Sequence, residues 1–239
     1  MEILGLIPAR GGSKSVPRKN IKLLGDKPLL AYTIATSKKS SLLTRAVVST
    51  NDEKIAEIAR DWGAEVPFCR PEELAQDETP DLPVFQHALQ WLKEKEDYSP
   101  DMVVNLRPTS PLRKPDHIDE AIQLLMESRA DSVKSVSITR EPPQKMWRLK
   151  NGRLIPLVPS DLGIRGNHQS PRQLLEPIYW QNGIVDVTWR RVIVEENSMT
   201  GSVIQGYILD TIFSVDLDTE EDFLVAEVIL QDLKKRKIL

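Results

Sequence analysis

A basic, glycine-containing segment lies near the start of the chain, directly after a short apolar run. Residues 7–20 include adjacent Gly11 and Gly12, which let backbone N–H groups approach an anion closely. The segment also carries forked arginine donors and lysine point charges, at Arg10, Lys14, Arg18 and Lys19. Its spacing matches neither the Walker A loop nor Gly-x-Gly-x-x-Gly. The segment therefore predicts a phosphate loop of another kind, and a solvated basic turn is the alternative.

Two aspartates near the end of the sequence have the chemistry of a metal site. Asp216 and Asp218 follow an apolar run two residues apart, and on a strand both would lie on one face. Two hard carboxylates without a neighbouring His or Cys favour Mg²⁺ over zinc, with substrate phosphates as further ligands. The alternative is that Asp218 only caps the last helix.

Two further stretches offer donors for a polar or anionic substrate. Residues 105–113 follow a predicted strand, are stiffened by two prolines, and carry Arg107, Thr109, Ser110 and Arg113. The second stretch, residues 171–173 and 181–183, together with a nearby lysine, supplies side chains for a carboxylate or sugar hydroxyls: Lys145, Arg172, Gln173 and Asn182. The alternative for residues 105–113 is an ordinary proline-rich connection. The alternative for the second group is that each is a surface residue without a ligand.

Composition excludes several classes of protein. The 239 residues carry a net charge of -3, so a general nucleic-acid binder is not expected. The single cysteine, Cys69, excludes a disulfide framework, and three histidines argue against a histidine-rich metal site or a Ser-His-Asp hydrolase. No apolar run reaches the ~18 residues of a membrane span, and the N-terminal run lacks the basic start of a signal peptide. We expect a soluble, cytoplasmic enzyme.

The elements that position these residues alternate between strand and helix. Short apolar runs predict strands at 3–7, 46–50, 65–68, 102–106 and 132–139, and 3.6-residue periodicity predicts helices at 28–38, 52–62, 81–95 and 116–128. This alternation predicts an α/β fold with a mostly parallel sheet that is covered on both faces. Ligands of such sheets bind beyond the carboxyl ends of the strands.

The pattern changes after Arg140. Residues 141–181 are rich in proline, and Asn151-Gly152 predicts a hairpin turn. We expect this segment to be an arm that closes over the substrate, packs on a partner subunit, or both. Residues 1–140 and 182–239 would form the core, with strands at 184–188 and 203–209. A last helix from Thr219 to about Lys235, capped by Asp218 or Thr219, would face the sheet.

Taken together, the motifs resemble those of the acylneuraminate cytidylyltransferases, which include the CMP-sialic acid synthetases. The resemblance runs in order over residues 3–232, through I-P-A-R-G-G-S-K-x-V-P-x-K-N, V-V-S-T-N-D, R-P-T-S-P-L-R, P-R-Q, N-G and D-x-D-T-E-x-D. It implies a three-layer nucleotide-binding sandwich with a small dimerisation arm, and a homodimer. It also implies transfer of CMP from CTP to the anomeric hydroxyl of a nonulosonic (sialic-type) acid, with release of pyrophosphate.

The resemblance also implies roles for individual residues. The basic loop would hold the CTP phosphates and ribose through Arg10, Gly11, Ser13, Lys19 and Asn20, with Lys19 and Arg10 stabilising the developing charge. The nucleoside pocket would be lined by Arg70, Thr79 and Asp81. Mg²⁺ would bind Asp216 and Asp218. The sugar acid would face Arg107, Thr109, Ser110, Lys145, Arg172, Gln173 and Asn182, some of them from the arm of a partner.

The residues leave the identity of the sugar acid open. The family commonly has Gln at the position of Arg107 and Arg at the position of Gln181, and A-I-Y-I where Ile184 begins I-V-D-V. The eight-carbon acid KDO is disfavoured, because its enzymes typically carry Q-G-D-E-P at this loop. Three rival functions also stay open: a nucleotidyltransferase with another base or acceptor, a glycosyltransferase, and a non-catalytic nucleotide-binding homologue.

Overall fold

A computed structural model describes residues 1–159 and 163–239 of the protein. In chain order the strands are β1 (Ile3–Pro8), β2 (Leu23–Leu24), β3 (Lys27–Pro28), β4 (Arg45–Ser49), β5 (Met102–Asn105), β6 (Ser132–Ile138), β7 (Trp147–Lys150), β8 (Arg153–Pro156), β9 (Tyr179–Trp189) and β10 (Ile204–Ile208). The helices are α1 (Leu29–Ser37), α2 (Glu53–Asp61), α3 (Asp81–Glu96), α4 (Pro115–Glu127), α5 (Arg190–Val194) and α6 (Glu220–Lys235).

The centre of the protein is a six-stranded sheet in the order β10-β6-β9-β5-β1-β4. Neighbouring strands pair in parallel except around β9, which runs antiparallel to both β5 and β6. The predicted mostly parallel sheet is confirmed. A register shift between β6 and β9 lets residues of β9 bulge out of the ladder, and this bulge lies beside the candidate site.

Helices cover both faces of the sheet because side chains of each strand alternate between two apolar clusters. From β1, Ile3 and Ile7 pack with α1, α2 and α4, whereas Leu4 and Leu6 pack with α3 and α5. The result is the predicted three-layer α/β sandwich. The strands are buried on both faces, which explains why their sequences are continuously apolar.

Two of the predicted elements differ from the structure. The predicted strand at 65–68 is reduced to one isolated bridge, from Glu65 to Val47, with a second from Cys69 to Thr50 just beyond it, because Pro67 has no N–H to donate to a ladder. The last helix, α6, does not face the sheet. Its Phe223, Ala226 and Leu230 pack in a separate cluster with residues of the basic loop, β2, α1 and the 105–113 loop.

The predicted arm contains the expected hairpin. β7 and β8 pair antiparallel around Asn151 and Gly152, whose φ angles of 51° and 75° are those of a type I′ turn. Several large apolar side chains of the segment are exposed, among them Trp147, Leu149 and Leu154. Residues 160–162 of the arm lie outside the described residues. β9 begins at Tyr179, earlier than predicted, so the core sheet includes the last residues assigned to the arm. The role of the arm stays a prediction.

In the part of the chain that the structure describes, no helix is long and apolar enough to cross a membrane.

Candidate active site

A cleft of about 840 Å³ opens at the carboxyl ends of β1 and β5. In the sheet, β1 has β4 on one side and β5 on the other, so the strand order reverses at β1. Ligands of open α/β sheets bind at such a reversal. The cleft is lined by most of the predicted site residues: Arg10, Ser13, Lys19, Asn20, Arg70, Thr79, Asp81, Arg107, Thr109, Asn182, Asp216 and Asp218.

The basic loop is held in place by the start of α2. The Gly11 N–H donates to Asn51 Oδ1 at 3.0 Å, and a Cβ at Gly11 would lie 2.8 Å from Asp52. Gly11 is therefore needed for close packing, and its N–H is already paired. The Asn20 side chain donates to the Arg10 carbonyl at 2.9 Å and closes the loop. Gly12, Ser13 and Lys14 line the cleft, as do Arg10 and Lys19 on either side of them.

The loop positions Lys19 through an unusual backbone conformation at Arg18. Arg18 adopts a left-handed φ of 54°, and its guanidinium pairs with Asp52 at 2.5 Å. Lys19 then begins a short 3-10 turn, and its side chain lies largely buried in the wall of the cleft. Its Nζ lies 2.8 Å from Asp218 Oδ1. The basic loop near the start of the chain and the aspartate pair near its end therefore meet in one site.

The two aspartates are not on a strand, contrary to prediction. Residues 214–218 form an irregular connection between a 3-10 turn and α6. Asp216 is positioned by the neighbouring loop, because the N–H of the adjacent Leu217 donates to the Thr109 carbonyl at 3.1 Å. Burial raises the pKa of Asp216, and the negative charge of Asp218 raises it further.

Asp218 does not cap α6, so the capping role considered for this residue is wrong. Thr219 is the N-cap and forms a reciprocal capping box with Asp222. The Asp218 N–H also donates to Asp222 Oδ2, at 2.9 Å. The Asp218 carboxylate is thereby left to face the cleft and Lys19.

Asp216 and Asp218 fit a magnesium ion by their donor chemistry. Both present hard carboxylate oxygens, and the mutual repulsion that raises the pKa of Asp216 is what a divalent cation would offset. Among residues 1–159 and 163–239, no group of three or more His, Cys, Asp or Glu side chains is placed to hold a metal. Water and substrate phosphates would supply the remaining ligands, as is usual for Mg²⁺.

An acidic residue that sequence reasoning missed lies against the cationic side chains. Asp77 pairs with Arg10 and with Lys14, each at 2.5 Å, and these contacts lower the pKa of its carboxyl. Asp77 therefore forms ion pairs with two of the cationic side chains that the sequence assigned to phosphate binding. Its position in the 75–80 connection carried no motif; only charge complementarity with the basic loop could have indicated it.

The predicted nucleoside residues also line the cleft. Arg70 is buried, and its guanidinium donates to Ser49 Oγ at 3.0 Å and to backbone carbonyls. Burial lowers the pKa of Arg70 to about 10, with Arg10 as a weaker contributor, so it stays charged at neutral pH. Asp81 begins α3 and accepts from Asn105 Nδ2 at 3.2 Å and from Arg107. Thr79 lines the cleft with them.

The 105–113 loop divides its polar residues between cleft and core. Arg107 and Thr109 line the cleft. Ser110 is buried and donates to the Gly183 carbonyl at 3.3 Å. Arg113 is fully buried, bonds Thr33 Oγ1 and backbone carbonyls, and so cannot be the substrate donor that the sequence suggested. Burial lowers the pKa of Arg113 to about 9.

The arm residues that were predicted to bind the sugar acid lie away from the cleft of their own chain. Lys145 Nζ donates to the carbonyls of His168 and Ser170, Arg172 pairs with Glu141, and Gln173 is exposed. None of the three lines the cleft. Asn182 does line it, but its amide is occupied by Ser135, Ser137 and the Ile184 N–H. Gln181, which no motif marked as a ligand, lines the cleft beside it.

Comparison with known proteins identifies the family. The sequence profile described as Cytidylyltransferase matches residues 4–148, more than half of the chain. The chain is 36% identical over 234 residues to the CMP-N,N'-diacetyllegionaminic acid synthase of Legionella pneumophila, with 97% of each sequence covered. The chain belongs to the cytidylyltransferase family.

A second relative and a solved structure agree with this membership. The cytidylyltransferase is 32% identical over 238 residues to the N-acylneuraminate cytidylyltransferase of Escherichia coli, covering 99% of its own length and 54% of that protein. A structure of CMP:2-keto-3-deoxy-manno-octonic acid synthetase complexed with CTP superposes with a TM-score of 0.71, covering 97% of the chain and 99% of that structure. At 12% identity this last likeness shows the fold alone. The predicted resemblance and the predicted nucleotidyltransferase class are confirmed.

Proposed function

We propose that this cytidylyltransferase transfers CMP from CTP to the anomeric hydroxyl of a nonulosonic acid and releases pyrophosphate. The relatives named above as legionaminic and N-acylneuraminate enzymes support this acceptor class. The observation that carries the proposal is the contact of Lys19 with Asp218 at 2.8 Å. It joins the phosphate-binding cations and the metal-type carboxylates in one cleft, where a single triphosphate reaches both.

The basic loop binds the triphosphate. Arg10, Lys14 and Lys19 present positive charge along one wall, and the triphosphate displaces Asp77 from the first two. The acceptor hydroxyl oxygen bonds to the α-phosphorus, the bond from that phosphorus to the bridging oxygen breaks, and the hydroxyl proton passes to solvent. Lys19 and Arg10 stabilise the negative charge that develops during transfer, which is the main catalytic contribution in phosphoryl chemistry.

The metal site is part of the proposal. Asp216 and Asp218 would hold Mg²⁺, which when bound polarises the α-phosphate and lowers the pKa of the attacking hydroxyl. The chain itself positions the pair: the Thr109 carbonyl holds the backbone next to Asp216, and the capping box of α6 holds the backbone of Asp218.

The sugar acid binds at the Arg107 end of the cleft. Arg107 is partly exposed and pairs only with Asp81 among the acidic side chains of the described residues, so it can turn its guanidinium to a substrate carboxylate. Lys145, Arg172 and Gln173 reach an acid only from a second subunit. We therefore include a homodimer in the proposal, formed through the exposed apolar side chains of the arm.

A nucleotide panel tests this function directly. Pyrophosphate release is measured with CTP, UTP, ATP or GTP, each with Mg²⁺ and a mixture of nonulosonic acids. The proposal expects release with CTP that depends on the acid. Lys19→Met should lower the turnover number by about 10²–10³-fold, because a charge that stabilises the transition state is lost. Lys54→Met, at an exposed position of α2, is the matched control. Acid-independent release, or full activity of Lys19→Met, would reject the proposal.

A further inference from the structure

The irregular part of β9 brings Gln181 into the wall of the cleft. Val136 of β6 pairs with Gln181 and Lys134 pairs with Asp186, so the residues between Gln181 and Asp186 bulge out of the ladder. Gly183 has a φ of 67°, within this bulge, and lies against the Arg107 side chain. Gln181 is exposed and lines the same cleft as Arg107, which Gly183 contacts two residues further on; in the proposed function this is the acceptor end.

A buried ion pair lies directly behind Gln181. Lys134 Nζ donates to Asp186 Oδ2 at 3.0 Å, and Gln181 Nε2 donates to the same oxygen at 3.0 Å. The side chains of Asp186 and Lys134 are only 3% and 10% exposed. The other Asp186 oxygen has no partner among the described residues, nor has Oδ1 of Asn105, which pairs with Asp186 across the sheet.

This arrangement fixes which end of the Gln181 amide faces the cleft. A carboxylate only accepts hydrogen bonds, so Gln181 must turn its Nε2 toward Asp186 and its Oε1 away. No donor among the described residues bonds that Oε1. The wall beside Arg107 thus presents a neutral acceptor whose orientation is set by a charged pair within the fold.

We propose that Gln181 Oε1 accepts a hydrogen bond from a neutral donor on the sugar acid, a hydroxyl or an acylamino N–H, and so selects which acids are used. Lys134 and Asp186 act as positioning residues for it. The inference rests on the proposed function. The acid's own carboxylate is unsuited to this place, because it would meet an acceptor with a carboxylate behind it; Arg107 is its natural partner.

Selection follows from the cost of an unmatched acceptor. An acid that carries hydrogen in place of the donor covers Oε1 without bonding it, and such mismatches reduce the specificity constant. The effect falls on the acceptor substrate and leaves CTP unaffected, because Gln181 lies in β9 and not in the basic loop.

The experiment compares matched acids that differ at one carbon, with hydroxyl, acylamino or hydrogen there. The kcat/KM ratio for each pair is measured with CTP and Mg²⁺. Gln181→Met should reduce the wild-type preference for the donor-bearing acid by about three- to tenfold and leave the KM for CTP unchanged. Gln231→Met, at an exposed position of α6, is the matched control. Comparing the hydroxyl and acylamino acids identifies which of the two donors bonds Gln181 Oε1.

A double variant tests the positioning residues without leaving a buried charge. Lys134→Met with Asp186→Leu replaces the pair by apolar side chains, an exchange that folds often tolerate. It should lose the same preference as Gln181→Met. The inference is overturned if Gln181→Met keeps the wild-type preference, or if its KM for CTP rises by as large a factor as the preference falls. Absence of CMP transfer by the wild type to every acid is a different result and rejects the proposed function itself.

Discussion

At the scale of single residues, opposite charges pair across the proposed triphosphate site. Asp77 forms ion pairs with Arg10 and Lys14, and Asp218 forms one with Lys19. Since phosphate oxygens need the same cations, the acidic partner must be displaced before CTP binds. Motif spacing predicted the cations but not Asp77, because a carboxylate that substitutes for a ligand has no sequence pattern of its own.

Asp77→Asn should strengthen CTP binding. The variant keeps the size of the side chain but removes the charge that competes with phosphate. Because exposed ion pairs of this kind contribute little free energy, the dissociation constant for CTP should fall by about two- to fivefold. Titration calorimetry with CTP, without an acceptor, measures it. Weaker binding in the variant would mean that Asp77 is itself a nucleotide ligand.

His117 should make the stability of the protein depend on pH. It is buried near the start of α4, where burial and then the charges of Lys114 and Arg113 lower its pKa to about 4, from 6.5. Between those values the unfolded chain binds a proton that the folded protein does not. The free energy of unfolding therefore decreases as the pH falls from about 6.5 to about 4, by on the order of 3 kcal/mol.

His117→Gln tests this assignment. Glutamine keeps an acceptor for the Lys114 N–H, which donates to His117 Nδ1 at 3.3 Å, but does not titrate. Urea unfolding at several pH values should show a smaller loss of stability toward acid in the variant than in the wild type. Parallel pH profiles would show that His117 is not the group responsible.

At the scale of elements, the start of α6 holds one half of the aspartate pair. Thr219 Oγ1 accepts the Asp222 N–H at 3.3 Å, and Asp222 Oδ2 accepts the Thr219 and Asp218 N–H groups. The segment D-x-D-T-E-x-D predicted the cap and the carboxylates together. It could not predict that the carboxylates sit on an irregular connection, because their positions depend on contacts with the distant Thr109 loop.

Thr219→Ala should weaken both the helix and the site. Loss of the cap costs about 1 kcal/mol of stability, and a looser Asp218 backbone should raise the Mg²⁺ concentration needed for half-maximal activity. Thermal unfolding and magnesium titration of the rate measure the two effects. Thr219→Ser, which keeps the hydroxyl, is the control. An unchanged magnesium requirement in Thr219→Ala would show that the helix cap does not position Asp218 for the metal.

At the scale of the whole molecule, the parallel sheet and its two helical layers were predictable because buried strands and amphipathic helices leave periodic signals. The sequence marked Gln181 only as a departure from the family near the expected sugar pocket. How it reaches the cleft depends on a bulge in β9 and on pairing with β6, which leave no local pattern. The position of α6 was also missed: its apolar face is the same whether it packs on the sheet or on loops.

The arm should join two subunits. Leu149 and Leu154 of the hairpin are 73% and 61% exposed, which is unfavourable for apolar side chains unless a partner covers them. Sedimentation should give twice the chain mass of 27.1 kDa. Leu154→Asp should shift the protein toward monomer, whereas Leu224→Asp, at the exposed face of α6, should not. A wild-type monomer that is fully active would contradict the arm's predicted role.

The product of the reaction is the most direct test of the proposed CMP transfer. The protein is incubated with CTP, Mg²⁺ and a panel of nonulosonic acids and KDO, and each mixture is analysed by mass spectrometry. We expect a CMP-linked nonulosonic acid and an equal amount of pyrophosphate. Formation of a CMP-sugar from KDO alone, or CTP binding without any CMP-linked product, would contradict it.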